Sequence, residues 1–382
     1  MLKVILIIIL TFKIILPALL RDPNGYLLYC PCIGEFGQQT DHLLNALAFS
    51  KGINRTLVVP PWLIYKFDAN SVHVPYDRWF SLEELKKYHK VISFKYFMEK
   101  MADSIWPKNN RTGHCRVFTD GNCEMVYGNP FGTFWRMHNI VFTGFKLHDN
   151  KKWDTVFNPA SASHWLSRYP PSVPVLALRR PPGRETTSAK SIEELQRYVD
   201  FSPEINKATA DLLKKRKVDV NNTLAIQLFS GKVMKEICKY NDSFQFGDFF
   251  SSAQCTGVGL PLYNQTKFTD EMCNPSENVI VRFISKYLNE TKATTLFVST
   301  DDESDKNVTN VIRAIRTSFG NKIAVWTRIN YILRNHTNLV IDLAIMSKAK
   351  FFIGNCVSSY SSFVRRHRQI SGMPFAFFGH QI

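Results

Sequence analysis

The chain has 382 residues, with 48 lysines and arginines against 32 aspartates and glutamates, a formal net charge of +16. A chain of this length can bury a large core, and the length alone suggests two domains. The basic balance points to polyanionic partners such as nucleotide phosphates, acidic protein surfaces or heparan chains.

In chain order, Lys3 is followed by the apolar run VILIIILTFKIILPALL and then by the polar RDPNG. A short positive start before an apolar stretch reads as a signal peptide over 1–20, with an uncleaved anchor as the alternative. Lys13 inside the run argues against a stable span, because a charge at the bilayer centre costs about 2.5–3.5 kcal/mol. No other segment is long and apolar enough to cross a bilayer. Nucleic acid is a poor partner in the secretory compartment this start implies.

YLLYC (26–30) reads as a buried strand and IGEFGQQ (33–39) as a glycine-containing turn. DHLLNALAFSKG (41–52) reads as a helix with Leu43, Leu44, Leu47 and Ala48 inward and Gly52 as its stop, and TLVVPP (56–61) as the next strand. The proline- and arginine-rich stretch 170–190 marks a domain boundary. Beyond it LAIQLF (224–229), TLFVST (295–300), KIAVWT (322–327) and KFFIGN (350–355) read as strands. The intervening helices carry Val308, Val311, Ile312, Ile315 and Phe319 at helical spacing, or run over 338–349, and a last helix covers about 358–368. Strands alternating with helices predict an α/β fold of two Rossmann-like domains facing a cleft, 21–185 and 186–382.

Acceptors for N-glycosylation occur at Asn54, Asn110, Asn221, Asn241, Asn264, Asn289, Asn307 and Asn335. The 8 cysteines lack the spacing of a zinc knuckle, which leaves disulfides as the reading. The basic clusters KKRK (214–217) and RRHR (365–368) are expected to be solvated helix faces.

Two places could hold an anion. Gly34 and Gly37 sit between a strand and a helix, where backbone amides attract anions, although tight turns also need glycine. GNCVSSYSSF (354–363) follows a strand and opens a helix, which puts Ser358 and Ser359 where amides and hydroxyls can hold a phosphate; plain serine capping is the alternative. STDDES (299–304) is read as an acidic helix start in preference to a metal site.

These segments together resemble a known family. CPCIGEFGQQTDHLLNALAFSKGINRTLVVPPW, GNPFGTFW (128–135), VSTDDES (298–304) and IDLAIM through FIGNCVSSYSSFVRRHR resemble the type-one GDP-fucose protein O-fucosyltransferases, which modify EGF-like repeats. The resemblance spans nearly the whole mature chain. It implies a GT-B fold with GDP-fucose held by the C-terminal domain and the acceptor by the N-terminal one. It also implies inverting, metal-independent transfer of fucose to Ser or Thr of EGF-like repeats of the Notch type. The endoplasmic reticulum lumen is the implied compartment, a monomer the implied state and a glycan at Asn54 an implied modification. The chain ends GHQI, without the KDEL-like tail usual in the family. The implied disulfides are Cys30–Cys32, Cys115–Cys123, Cys238–Cys273 and Cys255–Cys356. The implied donor site is Phe36, Gly37, Gln38, Asp342 beside the guanine, and Ser358, Ser359 and Tyr360 at the pyrophosphate.

The sequence departs from the family at charged positions. Glu35 stands where the family has arginine and Gln38 where it has asparagine. The family's His-Leu-Arg is Gln227-Leu228-Phe229 here, and Val233 occupies the position of a following acid. The family arginine neutralises charge growing on the β-phosphate as the glycosidic bond breaks. Losing such a donor costs about 10²–10³ in rate. Neither Lys232 nor Lys235 stands at its position. The resemblance therefore carries two expectations, a transferase and a catalytically impaired relative that binds or helps fold EGF-like repeats.

Overall fold

The computed structural model of the chain describes residues 21–32, 34–66, 69–114, 131–142, 159–182, 190–229, 238, 252–256, 268–302, 304–327 and 337–380. They form two compact units. One is drawn from Met1–Glu35, Asn45–Asp77 and Leu82–Gly183, the other from Phe36–Leu44, Arg78–Ser81 and Arg184–Ile382.

The first unit is built on a parallel sheet of β1 (Tyr26–Tyr29), β2 (Thr56–Val59), β3 (Val91–Ser93) and β4 (Val175–Leu178), in the order β3-β2-β1-β4. β1, β2 and β4 are buried along their whole length, as unbroken apolar runs in a parallel sheet must be. Tyr26, Leu28, Val58, Phe97, Phe134 and Trp135 share its core. Arg55 is buried here, and it donates to the carbonyls of Tyr169, Pro170 and Val173. Its neighbour Asn54 is exposed and takes a left-handed conformation (φ 52°) that asparagine tolerates.

The second unit carries β5 (Thr223–Leu228), β6 (Thr295–Thr300), β7 (Ala324–Thr327), β8 (Phe351–Gly354) and β9 (Phe375–Phe377), all parallel, in the order β7-β6-β5-β8-β9. Each strand follows a helix: α2 (Pro203–Arg216), α3 (Glu277–Thr291), α4 (Lys306–Phe319), α5 (Thr337–Lys348) and α6 (Ser359–Ile370). The register pairs Thr223 with Thr295, Thr295 with Ala324 and Leu224 with Phe351, so the amino ends of the strands lie along one edge. Both units are parallel α/β, the fold class the alternation predicts. Disulfides join Cys30 to Cys32, Cys238 to Cys273 and Cys255 to Cys356. Cys115 and Cys123 lie outside the described residues.

Two readings from sequence need correction. The helix expected over 41–52 is α1 (Phe36–Gly52), so Gly37 lies in a helical turn and not in a loop. Its preceding residue, Glu35, offers no side-chain cap, which removes the usual signal of a helix start. The run RRHR is not a solvated face. Arg365, Arg366 and Arg368 are all buried, while KKRK at the end of α2 is exposed as expected.

Each buried arginine has its own reason to be there. Arg368 donates to the carbonyls of Met346 (2.9 Å), Ala349 (2.7 Å) and Pro374 (2.7 Å), so it satisfies carbonyls that the end of α5 leaves without partners. Burial lowers its pKa to about 9. Arg365 makes a two-pronged pair with Glu193 (2.6 and 2.8 Å). Arg366 bonds Asp41 of α1 (2.7 Å), Gln196 (3.2 Å) and Ser362 (2.7 Å), and both ends of the Arg366–Asp41 pair are 1% exposed.

Burial pushes the Asp41 carboxyl up to about 7, against the lowering pull of Arg366. A carboxyl with a higher pKa folded than unfolded holds more protons in the fold, so its contribution to stability falls as pH rises and levels off above about 7. Arg366→Met removes the opposing cation and carries that fall further. The variant's stability should keep dropping above pH 7 by up to about 1.4 kcal/mol per pH unit, on a base loss of about 3–5 kcal/mol. Urea denaturation at pH 6 and pH 8 reads this; an equal deficit at both would separate Asp41 from Arg366. Arg368→Lys, which keeps the charge but not the fork of donors, should cost about 3 kcal/mol in the same measurement.

Candidate functional site

The carboxyl ends of β5, β6 and β8 hold the polar residues of interest. β8 ends at Gly354, and Ser358 then caps α6 by accepting from the Ser361 amide at 3.1 Å. A Cβ on Gly354 would lie 2.6 Å from Ser361 Oγ, so the strand can approach the helix start this closely only with glycine. The turn between them is held from two sides. Asn355 donates to the Cys273 carbonyl (3.1 Å) and accepts from the Val357 amide (2.9 Å). Gln254 donates to the Cys356 carbonyl (2.5 Å), next to the Cys255–Cys356 disulfide, and accepts from Arg365 (3.3 Å). The start of α6 is thus a rigid platform whose first amides favour an anion.

α1 meets the same platform. A Cβ on Gly37 would stand 2.7 Å from the Tyr360 nitrogen, so this contact also depends on glycine. Phe36 packs its ring against Trp79, Phe80 and Tyr360 at 5.8, 6.1 and 6.5 Å between centroids. These tertiary contacts hold the first turn of α1 where no cap does. Tyr360 donates its hydroxyl to the Leu339 carbonyl (2.5 Å) on α5. One turn further along α5, Asp342 is 5% exposed and accepts from Ser299 Oγ (3.0 Å) at the end of β6.

Phe36, Gly37, Ser359 and Tyr360 therefore form one patch, and Asp342 is tied to it through α5. Gln38 is exposed on α1. Ser358 stands beside Gln227, whose side-chain oxygen accepts from Ser358 Oγ (3.3 Å) and also from Ser361 Oγ. Phe229, half-buried, follows β5 directly and brings no charge to the site. Lys232, Val233 and Lys235 lie outside the described residues.

Asp302 accepts from the amide and hydroxyl of Ser304 (2.9 and 2.7 Å), and Asp305 caps α4 by accepting from Asn307 (2.8 Å). Asp302 and Asp305 thus serve a turn and a helix start. Sequence reasoning missed Gln254, Asn355 and the bridging role of Gln227. A glutamine inside a strand buried along its whole length is the one signal that could have drawn notice to Gln227, because a buried amide needs partners.

Comparison with known proteins agrees with this geometry. Residues 26–371 match the family model of the GDP-fucose protein O-fucosyltransferases. GDP-fucose protein O-fucosyltransferase 1 of Caenorhabditis elegans is 29% identical over 378 residues, covering 94% of this chain and 91% of that protein. Crystal structures of POFUT1 with GDP-fucose and with GDP match at TM-scores of 0.80 and 0.79. Each is 28% identical, and the match covers 94% of this chain and 100% of that chain. The paired parallel α/β units are GT-B-like, as the resemblance implied. Because the family match runs from the first residue of β1 to just past α6, the chain belongs to the GDP-fucose protein O-fucosyltransferase family.

Proposed function

We propose that the chain binds GDP-fucose and transfers fucose, with inversion and without a metal, to Ser or Thr of EGF-like repeats in the lumen of the endoplasmic reticulum. The platform at the start of α6 carries this reading: the region 186–382 serves the donor and 21–185 the acceptor. Ser358 and Ser359 face the pyrophosphate, Asp342 the guanine, and Phe36, Gly37, Gln38 and Tyr360 complete the donor site. The chain works as a monomer and bears a glycan at Asn54, whose exposure suits it.

Phe229 favours a second reading, a catalytically impaired relative that binds or helps fold EGF-like repeats. With no cation among the described residues at the end of β5, charge developing on the β-phosphate lacks a preorganised partner there. Gln227 already occupies the Ser358 hydroxyl as an acceptor, so a phosphate at this serine competes with it.

Incubation with GDP-fucose and a folded EGF-like repeat, read as fucose transferred and GDP released, tests both. The first reading expects transfer at a rate about 10²–10³ below that of Phe229→Arg. Binding of the repeat with no product above a no-enzyme control supports the second. Failure to bind GDP, GDP-fucose or the repeat would sink both.

A further inference from the structure

The edge of the second sheet opposite the candidate site has a composition of its own. In a parallel α/β unit every helix that leads into a strand ends at the strands' amino edge, so α2 to α6 all end there. KKRK 214–217 closes α2, Lys292 follows α3, Lys322 follows α4, and Lys348 and Lys350 bracket the end of α5. All of these side chains are exposed. Backbone bonds from Ala324 to Thr294 (2.9 Å), Thr294 to Asn222 (3.1 Å) and Lys350 to Val220 (3.0 Å) keep these segments in register just before their strands. With β7, β6, β5 and β8 adjacent and strands about 4.8 Å apart, the cations form a row roughly 15 Å long.

Compensation of helix dipoles does not account for the row. Five helix ends together carry about −2.5 charge equivalents, and Arg368 already answers the end of α5. None of these lysines and arginines forms an ion pair with a described residue; Lys348 bonds the neutral side chain of Asn206 (2.8 Å). Of the nearby acids, Asp219 caps the Asn221 amide (2.9 Å) and Glu290 lies 3.7 Å from Lys286. Lys217 and Lys292 also hold left-handed positions (φ 55° and 54°) that glycine or asparagine fills more easily.

We propose that this amino edge is a binding site for a linear sulfated polysaccharide. A row of exposed cations that make no ion pair with a described acid, Lys348 acting on Asp200 only at longer range, matches a chain with regularly spaced anions. Among the described residues, Ile370 at the end of α6 is the one exposed large apolar side chain along it, so they offer neither the stacking rings that single-stranded nucleic acid uses nor the apolar wedge that a membrane surface uses. The site is separate from the donor site and does not rest on the transferase reading.

The test is calorimetric titration of the full chain, its N-glycans trimmed because Asn221 and Asn289 stand on this edge, with a heparin-derived dodecasaccharide in about 0.15 M salt. Lys215→Gln/Lys217→Asn/Lys292→Gln/Lys350→Gln should bind at least about tenfold more weakly and lower the slope of log K against log salt by about 3. Lys86→Gln/Lys87→Gln/Lys95→Gln/Lys100→Gln, with the same loss of charge on exposed residues of the other unit, should stay within about twofold. The pair Lys215→Gln/Lys350→Gln, away from the left-handed positions, should move in the same direction with an unchanged unfolding midpoint. Equal losses in the two quadruple variants, no binding by the parent chain, or tighter binding to phosphatidylserine vesicles or single-stranded DNA of equal charge would overturn the proposal.

Discussion

Arg366 is buried where water cannot follow, and the Asp41 carboxyl group, 2.7 Å away, together with Gln196 and Ser362, is what makes that burial tolerable. The two residues stand 325 positions apart in the chain. Through them the first turns of α1 are tied to α6 at the residues that also form the candidate site. Gly37 approaches Tyr360, Phe36 packs among aromatic rings, and Ser362 and Gln196 accept from two further donors of the guanidinium. The platform at the start of α6 is thus braced at its far end by charge and at its near end by Gln254, Asn355 and a disulfide.

This bracing separates two properties of the site. Its shape depends on Gly37, Gly354, Ser358 and the buried arginines, all of which are in place. Its electrostatics depend on what stands at the end of β5, and there the chain has Gln227 and Phe229. Gln227 supplies an acceptor to the hydroxyls of Ser358 and Ser361, and the ring of Phe229 supplies no charge.

The strands of the second unit were legible because buried parallel strands are short apolar runs between turn signals, and β5, β6 and β8 fit that description, while β7 is a half-exposed edge strand. α4 was legible from its spacing and from Asp305. The start of α1 was not, because glycine at 37 and the uncapped Glu35 read locally as a turn, and the rings that hold Phe36 come from residues 79, 80 and 360. RRHR was misread for a similar reason. A run of arginines looks solvated unless its partners are known, and Glu193 and Asp41 are 172 and 325 residues away. Ser358 and Ser359 could be found from the strand-to-helix pattern, while Gln254 sits in a stretch whose sequence has no period to read.

The contrast between Arg368 and Arg366 bears on how the chain is made. Arg368 bonds carbonyls between 6 and 22 residues away, so α5, β8, α6 and β9 can assemble from neighbouring sequence as soon as they exist. Asp41 leaves the ribosome long before its partner. At synthesis rates of about 5–20 residues per second, the 325 residues between them take on the order of 20–60 s. For that time the first turns of α1 have an acidic, aromatic-bearing face and nothing to cover it, and they join their unit only when the last strands of the protein are complete.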